Sequence, residues 1–197
     1  MIIGICGKSG SGKTTLANQI IENLPTKAVH LDIDKVGHKV LSFPEVKEEL
    51  KNSFGESIIN LNEVDRKKLG EIVFASRNEM DKLTEITWKY MQMEIDDYLE
   101  ENKDKVVILD WLLLPHTKYF DMCDMKILLD IPYEVRKQRA IKRDNITEDA
   151  FLLRESASID VSGFSFAHIL QKTDKNEVKR IVKLLWQEFY IQEVLIL

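Results

Sequence analysis

The stretch Gly7-Lys8-Ser9-Gly10-Ser11-Gly12-Lys13-Thr14 constrains this chain more than any other. It fits G-x-x-x-x-G-K-[ST] in full. Its glycines permit backbone angles that other residues resist, so successive N–H groups can point inward around an anion. An apolar strand, Ile2–Cys6, runs into it, and a helical pattern of Leu16, Ala17, Ile20, Ile21 and Leu24 follows. A helix N-terminus behind an N–H cradle is a phosphate site. Gly7, Lys8, Ser9, Gly10, Ser11, Gly12, Lys13, Thr14 and Thr15 are therefore the expected nucleotide-binding residues. Lys13 is expected on the β- and γ-phosphates, and the Thr14 hydroxyl on Mg2+.

Short apolar runs alternate with longer helical patterns through the rest of the chain. Lys27–Leu31, Lys105–Asp110, Met125–Asp130 and about Phe166–Leu170 read as further strands. Helices are expected over Lys13–Asn23, Lys35–Leu41, Pro44–Ser53, Arg66–Phe74, Asn78–Glu101, Tyr133–Arg143, Glu148–Ala157 and Lys175–Val194. Met80, Leu83, Ile86, Tyr90 and Met93 recur at helical spacing and read as a core face. So do Val178, Ile181, Val182, Leu185 and Phe189 in the last helix. This alternation predicts an α/β fold of the P-loop NTPase type, three-layered, with a central parallel sheet and ligands at the strand C-termini. The 197 residues suit a single kinase domain, with a helical acceptor-binding region over about 44–103 and a helical lid over about 134–157.

Two strand ends carry acids. Asp32 and Asp34 follow the second strand, and either could orient an acceptor hydroxyl and take its proton, or cap the next helix. Asp32 is the better candidate base, with Asp34 as a cap or magnesium partner. Val106-Val107-Ile108-Leu109-Asp110 ends an apolar strand in an acid, so Asp110 is a candidate magnesium holder. Arg136, Lys137, Arg139, Lys142 and Arg143 form a basic helix. A solvated face is the ordinary explanation. A lid closing over the transferring phosphoryl group is the specific one, with Arg139 and Arg143 as catalytic candidates beside Lys13 and Asp32.

Composition excludes some classes. With 28 Lys+Arg against 33 Asp+Glu the net charge is −5, which argues against nucleic acid as a partner. No apolar run reaches the ~20 residues of a membrane span. Cys6 and Cys123 lie far apart and read as reduced core thiols, and the expected compartment is the cytoplasm. No N-K-x-D guanine reader follows the loop. The four histidines are dispersed, and His30, His116 and His168 read as structural, with His38 an exception taken up below.

These residues resemble the dephospho-coenzyme A kinase family. The likeness runs from Gly4 to about Asp149. It includes the glycine loop, Asp32-Ile33-Asp34 with His38 beyond, and Val64-Asp65-Arg66-Lys67-Lys68-Leu69 leading to Val73-Phe74. It also takes in Asp110 before Leu112-Leu113-Leu114, and Arg139 with Arg143-Asp144. The resemblance implies ATP and Mg2+ as cofactors and the ribose 3′-hydroxyl of dephospho-CoA as acceptor. It implies Asp32 as base, Arg66 near the CoA moiety, and the lid arginines over the phosphates. Asp34, His38 and Asp110 complete the expected acceptor-binding set. The chain departs from the family pattern at Trp88-Lys89, Leu112 and His116, positions that bear on the acceptor more than on the chemistry. A uridine-type nucleoside kinase and an ATP-binding module without kinase activity are the alternatives.

Overall fold

The computed structural model describes residues 1–24, 26–156 and 158–195, with side chains of the last helix described as far as Gln187. Its contacts divide the chain into two compact units. One comprises Met1–Asp32 and Asn102–Leu197, and the other Ile33–Glu101.

The first unit is built on a five-stranded sheet. The strands are β1 (Ile2–Gly7), β2 (Ala28–Asp32), β5 (Val106–Asp110), β6 (Met125–Leu129) and β7 (His168–Leu170). Their order is β2-β5-β1-β6-β7, and every neighbouring pair is parallel. Parallel neighbours need crossovers, which α1 (Lys13–Asn23), α6 (Lys118–Asp121), α7 (Tyr133–Asp144) and α8 (Glu148–Ser156) help to provide. β1 lies at the centre with β5 and β6 on either side, which is why Ile3, Ile5 and Cys6 are fully buried.

Helices α1 and α9 (Lys175–Leu195) pack with the sheet into one core. Leu16, Ala17 and Ile20 from α1 meet Ile3, Ile5, Ile108 and Ile127. Val178, Ile181, Val182 and Leu185 from α9 join them, as their spacing predicts. Phe189, expected on the same face, lies outside the described side chains, and Ala157, expected to end α8, lies outside the described residues. Each fully buried aliphatic side chain contributes about 1.5–3 kcal/mol. Cys6 and Cys123 are both free and buried, and burial pushes both thiols up to about 12.

The second unit is helical: α2 (Ile33–Val40), α3 (Pro44–Phe54), α4 (Arg66–Ala75) and α5 (Arg77–Glu101), with a small hairpin of β3 (Ile59–Asn60) and β4 (Glu63–Val64). Val46, Leu50, Ile58, Leu69, Val73 and Ile86 form its core. Met80, Leu83 and Tyr90 pack against that core as expected, but Met93 is 61% exposed. The buried side of α5 turns along its length. Its first half serves α3 and α4, whereas further along it buries Thr87, Met91 and Ile95, with Met91 beside Gly37 of α2. A single stripe of fixed direction therefore places Met93 wrongly.

Most elements match their sequence-based bounds to within a few residues. The differences near the acids matter more. β2 runs through Asp32, and α2 begins at Ile33 rather than Lys35. Asp32 is thus the last residue of a strand, and Asp34 sits in the first turn of a helix, where a negative charge suits the positive end of the helix dipole.

Candidate active site

The phosphate loop hangs between the end of β1 and the start of α1. Gly12 adopts φ 91° at the helix N-terminus, a left-handed conformation that favours glycine. Gly10 adopts φ +77° and lies under the first turn of α7. A Cβ built there would be 2.2 Å from the Arg136 carbonyl oxygen, so only glycine lets α7 approach so closely.

Asp110 ends β5 and is 2% exposed. Its Oδ2 accepts a 2.8 Å hydrogen bond from Thr14 Oγ1. Lys13 Nζ is 3.8 Å from Oδ1, and His30 Nε2 is 3.3 Å from Oδ2. A carboxylate this deep requires such partners, because an unpaired buried charge is costly. Asp110 therefore ties the loop lysine, the loop threonine and β2 together.

Asp32 stands in register with Asp110 on the adjacent parallel strand. Parallel strands lie about 4.8 Å apart, so the two acids are neighbours at the sheet's C-terminal edge. The fold thus brings Lys13, Thr14, Asp32 and Asp110 to one edge of the sheet.

The basic helix divides into different environments. Arg139 is exposed, and a Cβ at Gly12 would sit 3.8 Å from its Nη1 and 3.7 Å from Thr173 Oγ1. It thus reaches the mouth of the loop. Arg143 is turned to its neighbour, donating from Nε and Nη2 to Asp144 at 2.7 and 2.9 Å. Arg154 also donates to Asp144, and the guanidinium groups hold that carboxyl down to about 2.

Arg136 is 6% exposed. It donates from Nε to the Ile131 carbonyl at 3.0 Å, and from Nη1 and Nη2 to both oxygens of Glu155 at 2.7 and 2.9 Å. Lys8 of the loop donates to the same carboxylate at 2.9 Å. Sequence reasoning passes over this arrangement, because nothing in the spacing of Lys8, Arg136 and Glu155 signals that they meet.

The remaining candidates belong to the second unit. Asp34 and His38 are exposed on α2. Arg66 is the exposed first residue of α4, behind Asp65, whose side chain accepts from the N–H groups of Lys67 and Lys68 at 3.1 and 3.2 Å. Lys89, at one of the departures from the family pattern, pairs with Glu49 at 2.8 Å and lies over the Tyr90 ring.

No cluster of three or more His, Cys, Asp or Glu suited to a metal occurs among the described residues. No helix among them is long and apolar enough to cross a membrane.

Comparisons with known proteins point to one family. The family model for dephospho-CoA kinase matches residues 1–163. A dephospho-CoA kinase from Fusobacterium nucleatum is 34% identical over 151 residues, covering 76% of each chain. One from Aquifex aeolicus is 37% identical over 150 residues, covering 75% of each. Among solved structures, TT1252 from Thermus thermophilus superposes with a TM-score of 0.79 at 25% identity, over 95% of this chain and 97% of its own.

Proposed function

The chain belongs to the dephospho-CoA kinase family, and we propose that it transfers the γ-phosphate of ATP to the ribose 3′-hydroxyl of dephospho-CoA, giving CoA and ADP. The observation that carries the chemistry is the register of Asp32 with Asp110, beside a loop whose Thr14 that second acid already holds. An anion cradle and a carboxylate at one strand edge are what a phosphoryl transfer to a hydroxyl requires.

In this reading the loop N–H groups and the α1 N-terminus bind the phosphates. Lys13 offsets charge on the β- and γ-phosphates. Asp32 accepts the proton of the acceptor hydroxyl as that oxygen bonds to the γ-phosphorus and the bond to the β,γ-bridging oxygen breaks. Arg139 stabilises charge spread over the transferring group. Arg143 joins it on exchanging Asp144 for phosphate. Arg66 carries a fixed charge and a planar fork suited to a phosphate oxygen pair, and serves the pyrophosphate of dephospho-CoA, with Asp34 and His38 as further acceptor contacts.

Magnesium fits the donor set. Thr14 and Asp110 offer hard oxygens of the kind that magnesium takes beside substrate phosphates. Held by Thr14 and Asp110, it would neutralise charge on the nucleotide phosphates. The same reading places the reaction in the cytoplasm, in keeping with the free thiols of Cys6 and Cys123.

Uridine as acceptor and a module without turnover are not favoured, since the matched relatives are dephospho-CoA kinases. The test is to incubate the protein with ATP and dephospho-CoA and locate the new phosphate by phosphorus NMR. A 3′-phosphomonoester on the ribose is expected. A phosphate elsewhere, or unchanged dephospho-CoA, overturns the reading.

A further inference from the structure

Three charged side chains from separate segments meet behind the phosphate loop. Glu155 of α8 takes Arg136 on both oxygens, at 2.7 and 2.9 Å, and Lys8 on Oε1 at 2.9 Å. Arg136 Nη1 also lies 3.4 Å from the Ser9 carbonyl oxygen. The Lys8 side chain is thereby committed to Glu155.

We propose that Glu155 is a positioning residue for nucleotide binding: through Lys8 and Arg136 it holds the phosphate loop in its anion-binding conformation and fixes the first turn of α7 against it.

Several features separate this cluster from an ordinary surface ion pair, which contributes little. The Arg136 and Glu155 side chains are only 7% and 19% exposed. Their contact is bidentate, the geometry in which arginine and carboxylate bind most strongly. Three cations also lie near one anion site, namely Lys8, Lys13 and Arg139. Glu155 pairs with one of them and with Arg136, leaving Lys13 and Arg139 to the phosphates. Finally, Gly10 sits against the Arg136 carbonyl, so a shift of Arg136 is passed directly to the loop backbone. Arg139 follows one turn later on the same helix and shares its placement.

This inference rests on the kinase reading but is tested through nucleotide binding, which needs no acceptor. Calorimetry with ADP is applied to the wild type, Glu155→Gln, Lys8→Met and the double variant. Glu155→Gln is expected to raise the ADP Kd about tenfold, the size expected for one charged hydrogen-bonded pair. Lys8→Met leaves the Arg136 pairing in place and should raise it about threefold, with the double variant no worse than Glu155→Gln alone. In turnover, KM for ATP should rise while KM for dephospho-CoA stays unchanged, a split that general loosening of the fold would not give. Glu155→Asp keeps the charge and should recover part of the affinity. If Glu155→Gln does not fold, Lys8→Met and Glu155→Asp carry the test. Unchanged ADP affinity in Lys8→Met, strictly additive effects, or equal losses for both substrates overturn the proposal. A wild type that binds ADP but leaves dephospho-CoA untouched overturns the kinase reading alone.

Discussion

Thr14 Oγ1 and Asp110 Oδ2 are joined by a 2.8 Å hydrogen bond that spans 96 residues of sequence and binds the phosphate loop to the end of β5. Asp110→Asn keeps the shape but turns half of the group into a donor facing Lys13, Thr14 and His30. The variant should need a higher magnesium concentration for half-maximal activity and lose about 10²-fold or more in kcat. A magnesium titration of initial rates checks this. An unchanged magnesium requirement would remove Asp110 from the metal role.

Gly10 is held by geometry rather than by chemistry. Its φ of +77° and the 2.2 Å approach of a Cβ to the Arg136 carbonyl mean that Gly10→Ala must move backbone. Strain of this kind costs about 1–3 kcal/mol. Thermal unfolding should show a lowered midpoint, and nucleotide affinity should fall with it. Wild-type affinity in a folded Gly10→Ala variant would contradict the close packing of α7 on the loop.

Arg66 is exposed at the head of α4. Arg66→Ala should weaken dephospho-CoA binding by about 1.5–3 kcal/mol, the range for hydrogen bonds to charged groups, and leave ATP binding nearly unchanged. Separate calorimetric titrations of the two ligands measure this. Equal loss for both would point to a folding defect instead.

The Arg136 guanidinium, with Lys8, holds the Glu155 carboxyl down to about 2 from an ordinary value of 4.5. A depressed acid stabilises the fold above its unfolded value and loses that contribution as pH falls through its folded value. Thermal stability should therefore drop between about pH 4.5 and about pH 2, and Glu155→Gln should show a shallower drop over that window. Parallel curves for the two proteins would mean that Glu155 is not held as the structure has it.

Much of this was legible in the sequence because local pattern and tertiary role coincide. The glycine loop, the strand before it and the helix after it are one continuous segment. Val178, Ile181, Val182 and Leu185 read directly as a buried face because α9 packs against a single core. Met93 fails the same test because α5 changes partners along its length. The sequence pattern places Asp32 just beyond a strand, whereas it ends that strand in register with Asp110. Arg136 was not legible as a buried residue. It sits within a basic run, and what buries it is a carboxylate on another helix and a carbonyl in the loop. Contacts of that kind leave no periodicity.

If dephospho-CoA is the acceptor, release of ADP from ATP should depend on it, with dephospho-CoA, uridine, cytidine and adenosine compared side by side. Release should be fast with dephospho-CoA and near background with the nucleosides. In Asp32→Asn it should fall by about 10²–10⁴-fold, the usual cost of losing a general base, with ATP affinity retained. Preference for a nucleoside would rule out dephospho-CoA as the acceptor, and wild-type turnover in Asp32→Asn would rule out Asp32 as the base.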